Sequence, residues 1–226
     1  NLAALTDFDT MDVLGNLNLA GTVHVSSLAG YNPNDGDTFT IITFDDGMRS
    51  VREHALPVLR DHGFPAHVFL ATGYVGKDIG WDIAGRDRRF AMLDWPGAEA
   101  CAAGGIRVEC HTVTHPDLTT LSPAAIVDEC AAADDEIERR IGRRPTLFAF
   151  PFGRFDATVQ RTLAPRYRGC FTTRLGYFTG ADDLAGVPRL DTYYLQRPAL
   201  YERVLSPPTR AYVALRAAIR AIRGRT

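Results

Sequence analysis

The stretch TFTIITFDDG, at residues 38–47, decides the fold class. It is a short run of β-branched and aromatic residues that ends in two acidic residues and a glycine, a pattern typical of a buried strand followed by a tight turn. Residues 49–62 then carry apolar side chains at helical spacing and stop before Gly63, so they predict a helix. Pro57 lies inside that pattern and predicts a kink or a late start. A strand followed directly by a helix indicates a parallel sheet with crossover helices.

The rest of the chain repeats this order of strand and helix. Ser122 is placed to cap a helix that has Pro123 in its first turn and stops at Gly142. The charged stretch 77–92 has no clear period and predicts a loop. The sequence therefore predicts an α/β domain. Its further strands are expected at 66–72, 106–110, 146–150, near 169–173 and at 187–190, and its further helices at 94–103 and near 156–164.

Composition excludes several classes of protein. The 226 residues fit one domain, or one domain with an appendage. Lys and Arg number 25 and Asp and Glu 27, a net charge of −2 that argues against a nucleic-acid partner. No run approaches the roughly 20 apolar residues of a transmembrane span. Residues 209–225 form a basic amphipathic pattern, which fits either a helix packed on the domain or peripheral contact with an anionic membrane.

Residues 1–37 differ from the rest, since they contain no Lys or Arg and alternate apolar and polar residues. We predict a short β-rich N-terminal segment over 1–37 and a main domain over 38–226. One interpretation is a β-hairpin that covers one end of the main domain. The other is that MDVLGNLNLAGTVHVSSL, at 11–28, resembles β-helix rungs of autotransporter passenger proteins.

Three polar loops follow three of the predicted strands: DDG at 45–47, HTVTH at 111–115 and PFG at 151–153. Loops at the carboxyl ends of parallel strands collect at one end of the sheet, so we expect these to meet. Neighbouring side chains on a strand point to opposite sides, so one aspartate can bind a cation while the other handles protons. Two histidines four residues apart can converge on the same ion and leave positions for water and substrate.

A family resemblance rests on TFDDG at 43–47, HTVTHPDL at 111–118 and FAFPFGRFD at 148–156, with ALPVLRDHGFPAHVFLATGYVG at 55–76 between them. With these motifs, the chain from residue 38 onward resembles the polysaccharide deacetylase family, the NodB-homology domain of carbohydrate esterase family 4. The resemblance implies a distorted (β/α) barrel of about seven strands, so that 38–226 is a deacetylase-like catalytic domain. It also implies a metal-dependent hydrolase that removes N-acetyl, or alternatively O-acetyl, groups from a polysaccharide, oligosaccharide or glycolipid.

The resemblance assigns roles to individual residues. Asp45 matches the general base, and one divalent metal ion is implied, Zn²⁺ first, with Co²⁺ or another divalent ion as alternatives. The partner is an N-acetylated glycan, and a place in the bacterial cell envelope or outside the cytoplasm is favoured over the cytoplasm. The matching metal ligands are Asp46, His111 and His115. The loop that lines the acetyl group, where a backbone N–H can stabilise an oxyanion, matches Pro151, Phe152 and Gly153.

The chain departs from the family at two places. The third motif often has an arginine that orients the base, and Ala149 stands at that position. The family also often uses a late histidine as general acid, and no histidine follows His115. In the corresponding region Arg189 is a candidate to bind substrate or stabilise the leaving group, or alternatively a surface ion pair, and Asp191 could donate a proton if its pKa were raised. Two other functions stay open: a non-catalytic carbohydrate-binding or adhesin-type β module, and an amidohydrolase acting on a small non-sugar amide.

Overall fold

The computed structural model describes residues 11–14, 41–79, 90–179 and 182–222, the first of these as backbone alone. The strands are β1 Met11–Leu14, β2 Ile41–Phe44, β3 Ala66–Leu70, β4 Asp78–Ile79, β5 Phe90–Ala91, β6 Ile106–Cys110, β7 Leu147–Ala149, β8 Gly169–Leu175 and β9 Val187–Asp191. The helices are α1 Leu56–His62, α2 Trp95–Ala103, α3 Pro123–Ile141, α4 Ala157–Leu163, α5 Pro198–Tyr201 and α6 Pro207–Ile222.

Seven strands close into a barrel in the order β1-β2-β3-β6-β7-β8-β9. Neighbours from β2 to β9 are parallel, and β1 closes the barrel by pairing antiparallel with both β2 and β9. The prediction of a distorted (β/α) barrel is therefore confirmed. The predicted loop 77–92 carries the small antiparallel pair β4 and β5, and residues 80–89 within it lie outside the described part.

Strand β1 comes from the segment that was predicted to be β-rich. Its Val13 lies opposite Ile42 of β2 and opposite Leu190 of β9. A strand from residues 1–37 thus belongs to the same barrel as the strands that lead into the three polar loops. The other residues of 1–37 lie outside the described part, so the division at residue 37 and the autotransporter resemblance stay predictions.

Alternation along each strand sorts side chains between the barrel interior and the surrounding helices. On β2, Ile42 and Phe44 join the apolar cluster that packs under α1 and α2, whereas Thr43 is buried on the opposite face. On β9, Leu190 packs in the cluster beneath α6. The interior itself is filled chiefly by aromatic and small apolar side chains, namely Phe69, Ala149, Phe171, Phe178 and Val187.

Local signals in the sequence set the helix ends. A π-helical turn over Val51–Ala55 precedes α1, which begins at Leu56 with Pro57 in its first turn, the late start that the proline predicts. The Ser122 hydroxyl caps α3 by accepting a hydrogen bond from the Ala125 N–H at 3.2 Å. Gly142 ends α3 with φ 76°, a left-handed conformation that favours glycine.

The basic helix α6 packs on the barrel. Val213 of this helix is buried. The guanidinium groups of Arg216 and Arg220 lie over the Tyr194 ring, 4.9 and 5.9 Å from its centroid. Leu215 and Ile222 remain 59% and 86% exposed. Peripheral membrane contact through this helix stays a prediction. In the described ranges, no helix combines the length and apolar character needed to span a membrane.

Truncation of Phe148 tests how far the core between the barrel and α3 supports the fold. Phe148 is fully buried and stacks on Tyr167 at a ring-centroid distance of 5.1 Å. We expect Phe148→Ala to lower the free energy of unfolding by about 3–5 kcal/mol, because the mutation leaves a cavity. Urea denaturation in the presence of a chelator measures this. The matched control, Phe64→Ala at a side chain that is 56% exposed, should cost less than about 1 kcal/mol. Equal losses in both variants would contradict this view of the core.

Candidate metal centre and active site

A tight turn after β2 separates the two adjacent aspartates. The Gly47 N–H donates to the Asp45 carbonyl at 2.8 Å, and Asp46 adopts φ 67°. Gly47 itself has φ 84°, and a Cβ there would lie 2.2 Å from Leu70 Cδ1, so the turn has no room for a side chain. The consequence is that the two carboxylates leave the strand in different directions and acquire different partners.

The loop after β6 brings both predicted histidines to the same point. Thr112 and His115 have φ 67° and 54°, both left-handed. The segment that follows β3 holds this loop. The Thr72 N–H donates to the Thr112 carbonyl at 3.1 Å, and the Gly73 N–H donates to the Val113 carbonyl at 2.9 Å. The Thr112 hydroxyl also accepts from the His115 N–H at 3.0 Å. The segment is thus a turn and not a helix, as the Pro116 that follows it predicts.

Three ligand atoms converge at the carboxyl end of the barrel. Asp46 Oδ1 lies 3.2 Å from His111 Nε2 and 3.3 Å from His115 Nε2, and the two Nε2 atoms are 3.2 Å apart. A tetrahedral zinc site with ligand distances of about 2.0–2.1 Å has edges of about 3.3 Å, so the three atoms fit one face of such a site. Within the described ranges, this trio is the group of His, Cys, Asp and Glu side chains compact enough to hold a metal ion.

The acidic surroundings of the two imidazoles also suit a cation. The His111 Nδ1 lies 2.8 Å from the Ala149 carbonyl, which assigns the proton to Nδ1 and points the Nε2 lone pair at Asp46. Burial lowers the pKa of His111, but Asp46 and Asp45 together with that carbonyl outweigh it and raise the pKa. Burial raises the pKa of Asp46, and the two imidazoles outweigh it and hold the pKa well below its ordinary value. Burial lowers the pKa of His115.

Asp45 pairs with the buried guanidinium of Arg189. Arg189 Nη1 lies 2.7 Å from Asp45 Oδ1, and Nη2 lies 2.5 Å from Oδ2, which is a bidentate pair. The same guanidinium donates from Nε to the Thr172 carbonyl at 2.8 Å and from Nη1 to the Thr43 hydroxyl at 3.2 Å. Arg189 is only 2% exposed. The structure therefore places it against Asp45 inside the barrel and not as a surface ion pair, and substrate binding by Arg189 stays a prediction.

The third loop lies against the histidines. Phe152 has φ 58°, and its ring centroid is 4.5 Å from that of His115 with the rings at 70°. Phe152 is 40% exposed, so one side of the ring faces solvent beside the metal centre. The Gly153 N–H donates to the Phe150 carbonyl at 2.8 Å. A Cβ on Gly153 would lie 2.0 Å from Thr173 Oγ1, so glycine is needed where this loop crosses β8.

Asp191 ends β9 with both carboxylate oxygens near other groups. Its Oδ1 accepts from the Tyr193 N–H at 2.9 Å, and its Oδ2 lies 3.6 Å from Arg220 Nη1. The role of Asp191 as proton donor stays a prediction.

The sequence did not predict the groups around the site residues. One of these is the pair of Arg189 with Asp45, for which the available signals were Ala149 in the third motif and an arginine late in the sequence. Another is Glu129, whose carboxylate accepts from the Val113 and Thr114 N–H groups, both at 2.9 Å. A single glutamate on a helix face carries no pattern that would have found it.

Comparisons with known proteins find relatives in one family. The profile of the family described as "Polysaccharide deacetylase" matches residues 32–166, which include all three loops. The Bacillus subtilis (strain 168) protein named "Putative polysaccharide deacetylase YxkH" is 28% identical over 137 residues, 60% of this chain and 45% of that protein.

Two solved structures share the fold. The Streptococcus pyogenes deacetylase PplD in complex with acetate is 26% identical, with a TM-score of 0.57 over 66% of this chain and 62% of that one. IcaB from Ammonifex degensii is 25% identical, with a TM-score of 0.53 over 66% and 65%. The chain thus spans less than half the length of the Bacillus relative and less than two thirds of each solved chain.

Zinc titration tests the metal centre. We expect the protein to bind one Zn²⁺ per chain, and His111→Ala to weaken binding at least about 100-fold, because it deletes one of three protein ligands. Competition with a chromophoric chelator measures both values. His62→Ala, at an exposed histidine, is the matched control and should bind as wild type does. Equal affinities for wild type and His111→Ala would show that zinc binds elsewhere.

Proposed function

Because the chain belongs to the polysaccharide deacetylase family, we propose that it is a metal-dependent hydrolase that removes N-acetyl groups from a glycan. One observation carries the proposal: a compact Asp46, His111 and His115 cluster lies directly beside an aspartate that is fixed by a buried arginine. A binding module has no need of a ligand set with open positions next to a positioned carboxylate. No observation favours the adhesin alternative.

Asp46, His111 and His115 would hold the metal ion. A zinc ion in such a site lowers the pKa of a bound water and polarises a carbonyl oxygen. The three protein ligands leave further positions for water and for the acetyl oxygen. Cobalt or another divalent ion is compatible with the same mixed oxygen and nitrogen donors.

Asp45 is the group we assign to proton transfer. Its two oxygens are held by Arg189, so the carboxylate keeps one orientation next to the site where water would attack. Orientation of a base toward its proton is a large part of its catalytic effect. Arg189 thus takes the positioning role that the family often gives to an arginine at the place of Ala149.

The loop of Pro151, Phe152 and Gly153 supplies the oxyanion donor in this proposal. Pro151 has no N–H, and the Gly153 N–H is engaged by the Phe150 carbonyl. The Phe152 N–H is therefore the amide of this loop that we assign to the developing negative charge on the acetyl oxygen.

The leaving nitrogen also needs a proton. No histidine follows His115 in the sequence, and Asp191 is engaged by Arg220. We therefore assign both steps to Asp45: it accepts a proton from the attacking water and returns it to the amide nitrogen as the C–N bond breaks. Acetic acid and a free amine are the products, the acid loses its proton to solvent as acetate is released, and Asp45 is again a carboxylate.

The family and one solved relative support the substrate class that we propose. PplD was solved in complex with acetate, which is the product that deacetylation releases. We propose an N-acetylated glycan as the substrate and a site of action in the cell envelope or outside the cytoplasm. A small non-sugar amide is the competing substrate, and a panel containing both kinds of compound separates them.

Acetate release from an N-acetylglucosamine oligomer tests the activity. We expect release in the presence of Zn²⁺, its loss with chelator, and a fall of at least about 100-fold in kcat for Asp45→Asn, because the amide cannot accept the proton. Enzymatic acetate detection gives the rates. Asp191→Asn should retain most of the activity, and a comparable loss in that variant would contradict the assignment of both proton transfers to Asp45.

Replacement of Arg189 tests its positioning role. Lysine keeps the charge but cannot form a bidentate pair, so we expect Arg189→Lys to lower kcat about 10- to 100-fold while KM and zinc affinity change less than about threefold. Steady-state kinetics and chelator competition measure the three quantities. A rise in KM with unchanged kcat would instead indicate that Arg189 contacts the substrate, as the sequence suggested.

A further inference from the structure

We propose that Glu129 is a positioning residue for the metal centre, and that it sets the affinity for the metal by holding the loop between the two histidines. The proposal rests on the proposed function, since it concerns the same cation. Glu129 lies on α3 and contacts neither histidine in the described structure. It acts through the backbone of Val113 and Thr114.

The contacts are three hydrogen bonds to one carboxylate. Glu129 Oε2 accepts from the Val113 N–H and the Thr114 N–H, each at 2.9 Å, and Oε1 accepts from the Thr114 hydroxyl at 2.8 Å. Hydrogen bonds to a charged acceptor are about twice as strong as neutral ones. The carboxylate thus accepts hydrogen bonds from the two residues in the middle of the HTVTH loop.

The position of Glu129 is itself fixed by the core. On the same helix, Ile126, Cys130 and Ala133 are fully buried, and they pack in one cluster with Cys110, the last residue of β6. The helix therefore cannot slide relative to the strand that leads into the loop. Glu129 joins this rigid base to the loop, which has one histidine at each end.

The loop needs such support because its conformation is strained. Thr112 and His115 both have left-handed φ values without being glycine. Such residues are strained and persist only when their surroundings enforce them. Bonds from Thr72 and Gly73 hold one edge of the loop, and Glu129 holds the other. Without Glu129 the loop would relax, and His115 Nε2 would leave the 3.2–3.3 Å arrangement with Asp46 and His111.

Zinc affinity tests the proposal without any measurement of activity. Outer residues that orient metal ligands change metal affinity by about 10- to 100-fold. We expect Glu129→Ala to weaken Zn²⁺ binding at least about tenfold in competition with a chromophoric chelator. The thermal midpoint of the metal-free protein should fall much less than in a core variant such as Phe148→Ala. In hydrogen exchange of metal-free protein, the Val113 and Thr114 amides should exchange faster in Glu129→Ala.

Asp128 offers a matched control on the same helix. Asp128→Ala removes the same charge from an exposed neighbour and should leave zinc affinity and both amide exchange rates unchanged. If Glu129→Ala does not fold, the pair Glu129→Gln and Asp128→Asn replaces it. The glutamine oxygen can still accept from the loop but loses the charge, so zinc affinity should fall about threefold in Glu129→Gln alone.

The outcomes separate this proposal from the proposed function. Zinc affinities within twofold of wild type for both Glu129 variants would overturn the positioning role and leave the metal centre intact. Equal losses in the Glu129 and Asp128 variants would also overturn it, because a general charge effect would then explain both. A wild-type protein that binds no Zn²⁺ would overturn the proposed metal centre itself.

Discussion

The site depends on a strained backbone that brings one carboxylate and two imidazoles to the same point. In the described residues, every non-glycine with a left-handed φ belongs to one of the three polar loops: Asp46, Thr112, His115 and Phe152. Each costs about 1–3 kcal/mol, so the strain is a sizeable fraction of the roughly 5–15 kcal/mol that stabilises a domain. The parallel barrel tolerates it because the loops emerge from strands whose positions are fixed by four separate apolar clusters.

Two adjacent carboxylates in a half-buried site would repel each other if they shared one environment. The turn at Gly47 prevents this by giving each carboxylate its own partners, a guanidinium for Asp45 and two imidazoles for Asp46. Asp45 continues the interior face of β2 and meets the guanidinium of Arg189, while Asp46 turns away toward the histidines. The division of labour that the proposed reaction needs, one aspartate for protons and one for the metal, is therefore already present in the fold.

Short-range chemistry made most of the architecture predictable. The cap at Ser122, the left-handed ends at Gly63 and Gly142 and the strand and turn at 41–47 are all set within a few residues of sequence. The convergence of Asp46, His111 and His115 could be expected because the ends of parallel strands meet at one edge.

The features that the sequence did not predict depend on contacts between residues that are far apart in the chain. Asp45 and Arg189 are 144 residues apart, and no local period connects them. The same is true of β1, which completes the barrel only by lying between the first and last parallel strands. Glu129 escaped for a related reason, since its partners are backbone N–H groups, which every residue except proline carries.

The small side chain of Ala149 on β7 and the guanidinium of Arg189 on β9 show that a positioning group can come from a different strand of the same barrel. Both residues lie on strands that turn one face to the same interior, and Ala149 packs there with Phe69 and Val187. A second guanidinium at residue 149 would compete for one carboxylate in a space already filled by apolar side chains, so an arginine on β9 and a small side chain on β7 belong together. The backbone carbonyl of Ala149 meanwhile orients His111 whatever side chain the residue carries. The contact that the candidate metal centre needs from this residue is thus made by its main chain and does not depend on the side chain.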